Sequence, residues 1–140
     1  MNDAAWLLDT NVLSELMRAT PDANVARFVF GLERPYVSVV TFHELFFGAG
    51  LLPEGARRAG MMRKIEGLRA RFERRTVTID AEIASLSGRL RSNIQGRGRR
   101  LTPLDALIAA SATRVSRRLA TRNLKDFQFL DLELVDPWAA

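Results

Sequence analysis

At 140 residues the chain is long enough to bury a core without covalent staples, and 47% hydrophobic with 26% charged residues is ordinary globular composition. The absence of cysteine excludes a disulfide framework, a thiolate metal site and a cysteine nucleophile. The amino terminus carries Asp3 and no basic region ahead of a long apolar segment, and no apolar run approaches the roughly 18 residues of a membrane span. One soluble, cytoplasmic domain over residues 1–140 is therefore expected, with no membrane partner. The net charge of +5 is unevenly spread. Residues 1–56 carry 3 basic and 7 acidic side chains, residues 57–100 carry 13 and 4, and residues 101–140 carry 5 of each. All basic residues except Lys64 and Lys125 are arginine, so the middle block reads either as a solvated helix face or as a phosphate-binding surface.

In chain order, "AAWLLDT" reads as a first strand that stops on Asp9, with Thr10 as the cap of a helix beginning at Asn11, "NVLSELMR". A second helix follows Pro21–Asp22 in "DANVARFVFGL", and "PYVSVVT" is rich enough in β-branched residues to be a second strand. "FHELFFGAGLL" reads as a helix, "PEG" breaks it, and residues 54–75 form a long amphipathic helix with Met61, Ile65, Leu68 and Phe72 on one stripe. "TVTI" is a short third strand, and Asp80 caps a helix from Ala81 to about Gln95. "GRGRR" is a loop, Thr102–Pro103 opens a helix through about Ser116, "RLATRN" is a fourth strand and "LELVD" a fifth. Alternating strand and helix patterns predict an α/β fold: three layers, α/β/α, around a mainly parallel sheet of about four to five strands.

Four acids fall in telling places on that map. Asp9 ends the first strand, Glu44 lies in the first turn of the helix after the second strand, Asp105 lies in the first turn of the "TPLDALIAASA" helix, and Asp126 follows the fourth strand. Each also has a purely structural reading. Asp9 can cap a helix, and Thr41-x-x-Glu44 and Thr102-x-x-Asp105 both fit capping boxes. A parallel sheet, however, brings strand ends and following helix starts to one edge. Carboxylates gathered there repel one another unless a divalent cation is present, and Mg²⁺ suits oxygen ligands. Other chemistries fit less well: His43 is the only histidine, "HELFF" lacks the second histidine of a zinc-protease helix, and "GRGRR" is not followed by the lysine of a phosphate loop.

"LLDTNVLSEL", "VSVVTFHEL", "TPLDALIAASA" and "LATRNLKDF", in that order, resemble the PIN domains, and among them the VapC-type toxins of the FitB-like branch. That resemblance implies an α/β/α fold and an endoribonuclease dependent on Mg²⁺ or Mn²⁺, with one or two ions. It implies a catalytic quartet of Asp9, Glu44, Asp105 and Asp126, with Thr10, Asn11, Thr121 and Asn123 as supporting polar residues. It also implies an RNA substrate, a cognate antitoxin, and a homodimer that assembles further with it. Asp9 and Asp105, at the two most buried approaches, are expected to be direct metal ligands, with Glu44 and Asp126 direct or acting through water. Arg97, Arg99 and Arg100 are the expected RNA-backbone contacts, and Phe46 and Phe47 the expected antitoxin contacts. Two alternatives stand beside this reading: a non-catalytic RNA- or protein-binding module of the same fold, and an aspartyl-nucleophile phosphotransferase using Asp9, which Asn11 two positions later disfavours.

Overall fold

The computed structural model describes residues 2–140, with side chains from Ala5 onward; the Asp3 side chain, on which the reading of the amino terminus turned, lies outside the described residues. The chain runs β1 (Asn2–Leu8), α1 (Thr10–Leu16), α2 (Ala23–Phe30), β2 (Leu32–Ser38), α3 (Val39–Gly50), α4 (Ala56–Arg71), β3 (Thr76–Val77), α5 (Ala81–Gly96), α6 (Pro103–Val115), β4 (Arg118–Ala120), α7 (Leu124–Phe127) and β5 (Glu133–Val135). The strands form one sheet in the order β3-β2-β1-β4-β5, and every pairing is parallel. β1 therefore sits at the centre, with Leu7 opposite Tyr36 of β2, and Leu8 opposite Ala120 of β4.

Strand side chains alternate between faces, and β1 shows what this does. Trp6 and Leu8 enter a core with Val12, Leu13, Val25, Phe42, Leu45 and Ile65, beneath α1 to α4. Leu7 faces the other way, into a core with Ile108, Ala109, Leu119 and Phe127 under α6 and α7, and α5 packs outside α6. This is the expected three-layer α/β/α arrangement. Among the described residues, no helix is long and apolar enough to cross a membrane.

Several boundaries differ from the sequence expectation. Thr10 is not the cap of α1: it is the first helical residue, and Asp9 is the cap, its carboxylate accepting from the Thr10 N–H. The second strand was expected to run through Thr41 but ends at Ser38, whose hydroxyl accepts from the Val40 N–H and starts α3 three residues early. Val39, Val40 and Thr41 favour strands by themselves, but a serine cap and burial of Val40, Thr41 and Phe42 override that preference. The Thr41–Glu44 capping box is thereby lost, and Glu44 lies in the second turn of α3. The arginine-rich helix is shorter than residues 54–75: Gly55, at φ 147°, precedes it, and Glu73–Arg75 form a separate 3₁₀ turn. "RLATRN" pairs only over Arg118–Ala120, and Asp126, expected after the fourth strand with no helix there, lies in the one-turn helix α7. The caps Asp22, Asp80 and Thr102 are as expected.

Candidate active site

The parallel sheet sets the site's position. The N–H of Asp9 donates to the Ala120 carbonyl at 2.9 Å, so Asp9 leaves β1 alongside the end of β4. The Thr121 N–H donates to Val135 of β5 at 2.9 Å, which holds the residue after β4 beside it. Asp9 is only 5% exposed. Its Oδ1 accepts from the Thr10 N–H at 2.8 Å and its Oδ2 from the Thr121 hydroxyl at 2.7 Å. Thr121 Oγ1 in turn accepts from the Asn123 N–H at 3.0 Å and from Asn11 Nδ2 at 3.5 Å, while the Arg122 N–H reaches Asn11 Oδ1 at 3.4 Å. The expected supporting residues Asn11, Thr121 and Asn123 thus converge on the first acid. Thr10 turns instead to the second: its hydroxyl donates to Glu44 Oε1 at 2.6 Å.

Asp105 lies half-buried in the first turn of α6, its N–H donating to the Thr102 hydroxyl at 3.2 Å. The structural half of that capping reading is therefore correct, but it occupies the backbone N–H of Asp105. Asp126 is exposed on α7. Burial pushes the Asp9 carboxyl above its ordinary value; hydrogen bonds from Thr121 and Thr10 oppose this, and the charges of Glu44 and Asp126 add to it. Burial also raises Asp105, assisted by the charges of Asp9 and Asp126 and opposed by the Thr102 hydroxyl. The charges of Glu44 and Asp126 thus bear on Asp9, and those of Asp9 and Asp126 bear on Asp105.

Such a set is a hard-oxygen environment with an electrostatic deficit that a divalent cation relieves. Among the described residues no three acidic or histidine side chains already close on a single point as a metal cage. Mg²⁺ does not require one, because it binds through one or two carboxylates and retains waters. The donor set fits that ion. The lone histidine, His43, is exposed on α3 and joins no cluster of metal-ligating side chains among the described residues.

The PIN domain profile matches residues 6–131. The chain belongs to the PIN-domain family. Toxin FitB of Neisseria gonorrhoeae is 32% identical over 135 residues, covering 94% of this chain and 97% of its own. VapC ribonuclease Y4jK of Sinorhizobium fredii is 31% identical, covering 94% and 96%. The crystal structure of FitAcB from Neisseria gonorrhoeae superposes with a TM-score of 0.87 at 31% identity, over 96% of this chain and 99% of that one. PIN membership sets aside the aspartyl-phosphotransferase alternative.

The other expected contacts are placed unequally on this PIN fold. Arg97, Arg99 and Arg100 are exposed between α5 and α6, shortly before Thr102, and the Arg99 guanidinium lies 3.6 Å from the centre of the Phe129 ring. Phe46 packs against the core beneath α1 to α4, whereas Phe47 is 63% exposed. Neither lines the groove of about 340 Å³ that runs from Thr10 and Glu44 past Met17 and Leu52 to Met61 and Arg57. Sequence reasoning passed over two residues near the site. Thr41 entered only as a cap, although its position three residues before Glu44 placed it on the same helix face. Arg122, inside the "TRN" segment, stacks 4.7 Å from the Trp138 ring centre and has no carboxylate partner among the described residues. A further buried acid, Glu15, is structural: it accepts from the Asp22 N–H at 2.8 Å and pairs with Arg18 at 3.3 Å across the α1–α2 turn.

Proposed function

We propose that this chain is the ribonuclease toxin of a toxin–antitoxin pair, hydrolysing RNA phosphodiester bonds with a divalent cation at the carboxylate edge of its sheet. The observation that carries this reading is Asp9: a buried carboxylate at the end of the central strand, raised above its ordinary value and electrostatically coupled to Glu44 and Asp126. Similarity to a FitB toxin and a VapC ribonuclease over nearly the whole chain supports the substrate class.

Asp9 and Asp105 would hold the cation directly: Asp9 is buried and fixed at both oxygens, and Asp105 is half-buried in the first turn of α6. Asp126, exposed on a single helical turn, would act through water. Glu44, steadied by Thr10, would orient a water at the site. Thr121, Asn11 and Asn123 fix Asp9 against rotation. When bound, Mg²⁺ or Mn²⁺ supplies acidity to a coordinated water and positive charge at the leaving oxygen, as one ion or two. No nucleophilic side chain is needed, which suits a chain without cysteine. Arg97, Arg99 and Arg100, joined by Arg122, hold the RNA backbone and carry little base information.

The partner is a cognate antitoxin, by likeness to FitAcB and to a toxin-antitoxin complex from Klebsiella pneumoniae; a cytoplasmic homodimer is part of the same proposal. The groove beside Glu44 and the exposed Phe47 are the surfaces offered to it. Cleavage of total RNA and purified transfer RNA, with and without Mg²⁺ and with an Asp9→Asn control, tests the activity. Cleavage that persists in excess chelator, with contaminating nucleases removed, refutes the cation's role, and an active Asp9→Asn chain refutes the assignment of Asp9.

A further inference from the structure

Thr41 carries a hydrogen bond that neither capping nor packing explains. It is fully buried in the first turn of α3, and its Oγ1 lies 3.1 Å from the Oγ1 of Thr10 on α1. A threonine hydroxyl has one proton to give, and a carboxylate can only accept. The Thr10 proton goes to Glu44 Oε1 at 2.6 Å, so the proton between the two threonines belongs to Thr41. The order is Thr41 to Thr10 to Glu44. Hydroxyls inside helices ordinarily return to the carbonyl four residues back, as Ser85, Ser111 and Thr113 do here at 2.8, 2.8 and 3.0 Å. Four residues before Thr41 is Val37, inside β2 and ahead of the Ser38 cap. Thr41 spends its proton across to another helix instead.

We propose that Thr41 is a positioning residue for Glu44, acting through Thr10. With Thr41 donating, Thr10 Oγ1 has its accepting side filled and its own proton committed to Glu44. Glu44 Oε1 is thereby anchored, and Oε2, which has no partner among the described residues, is left for the cation or its water. This deepens the reading under Proposed function and rests on the place given there to Glu44.

The test pairs Thr41→Val, close in shape but without the hydroxyl, with Thr41→Ser, which restores it. Three quantities are read: single-turnover RNA cleavage under saturating Mg²⁺ across RNA concentrations, Mn²⁺ affinity by electron paramagnetic resonance, and Tm. Thr41→Val should lower the maximal rate about 10- to 100-fold and weaken Mn²⁺ binding about 3- to 10-fold, as loss of a group behind a ligand does. The RNA concentration for half-maximal rate should stay within about twofold, because the lost interaction is not with the substrate backbone. Thr41→Ser should recover most of the rate and the Mn²⁺ affinity. Wild-type rate and Mn²⁺ affinity in Thr41→Val would overturn the proposal. So would a Thr41→Ser chain as defective as Thr41→Val, since the side chain would then only fill space. A wild-type chain that binds Mn²⁺ but cuts no RNA refutes the ribonuclease reading alone, and the Mn²⁺ affinities of the variants then decide Thr41. A wild-type chain that binds no Mn²⁺ overturns both.

Discussion

The carboxylate edge and the arginine-rich segment 56–75 both concentrate charge of one sign, but they treat it in opposite ways. At the edge, Asp9 is buried, both its oxygens are held at 2.7–2.8 Å, and its neighbours are themselves bonded to one another. Along α4 and the following 3₁₀ turn, Arg57, Arg63, Arg69, Arg71, Arg74 and Arg75 are exposed. Among the described residues, the one ion pair within this segment joins Arg69 to Glu66 at 2.9 Å, both side chains being more than half exposed. An exposed pair of this kind is worth about 0–1 kcal/mol. Charge held without freedom, at a cost in desolvation, is suited to transition-state work; charge left in water acts by number, through counterion release. Single substitutions should therefore be severe at the edge and mild in the basic segment.

The largest effects test that contrast at buried Asp9 and half-buried Asp105. Asp9→Asn and Asp105→Asn should each reduce single-turnover cleavage by about a thousandfold or more, since each removes a charge proposed to hold the cation. Folding should survive, with Tm of the metal-free protein unchanged or higher as repulsion falls. Asp126→Asn, at an exposed position proposed to act through water, should cost about 10- to 100-fold and leave a measurable rate. Equal losses at Asp126 and Asp9 would erase the ranking by burial.

Next comes the dependence of stability on pH without metal. A carboxyl whose folded value is raised binds more protons folded than unfolded above its ordinary value of 3.8, so stability falls as pH rises through that window. Metal-free protein should therefore lose Tm as pH is raised from about 4 through the elevated Asp9 and Asp105 titrations. Saturating Mg²⁺ should reverse the loss, and Asp9→Asn should flatten it. A metal-free Tm that rises steadily through this window, with no response to Mg²⁺, would contradict the edge electrostatics.

In the basic region, Arg97→Glu combined with Arg100→Glu should weaken RNA binding and lower the slope of log affinity against log salt by about 1–2, as fewer counterions are released. A binding isotherm unchanged at every salt concentration would return that loop to a solvated surface. The smallest effect is expected at Asp80, the exposed cap of α5, which accepts from the Ile83 N–H at 2.9 Å and pairs with Arg114 at 3.1 Å. The Ile83 N–H and then Arg114 hold its carboxyl below the ordinary value, so the sign is opposite to that of Asp9. Its contribution is present above pH 3.8 and is lost as pH falls through the depressed value. Asp80→Asn should lower Tm slightly near neutrality, and the difference from wild type should vanish in acid.

The legible parts of this molecule were those written in local pattern. Asp22, Asp80 and Thr102 announced their helices because a cap acts on N–H groups only two or three residues away. The stripe of Met61, Ile65, Leu68 and Phe72 was legible because a helix repeats its face every three to four residues, and all four pack against the same core. The β2–α3 boundary was not legible. "SVVT" has strand propensity, and only the packing of Val40 and Phe42 into opposite cores makes the helix the better state there. α7 was missed because four residues carry too little periodicity to show a helix.

By itself, the sequence determined which residues could carry the chemistry. Strand–helix alternation compels a parallel sheet, a parallel sheet aligns its carboxyl ends, and Asp9, Glu44, Asp105 and Asp126 stand where those ends come. Tertiary structure alone decided how they differ. Asp9 is buried because β1 is the central strand, flanked by β2 and β4, while Asp126 is exposed because α7 lies beyond β4 on a single turn. It also decided that Thr10 serves Glu44, that Thr121 serves Asp9, and that Thr41 gives its proton to Thr10. Those bonds join residues 34, 112 and 31 positions apart. Hydrogen bonds depend on distances of a few tenths of an ångström between such remote atoms, and no local pattern in the chain encodes a distance of that kind.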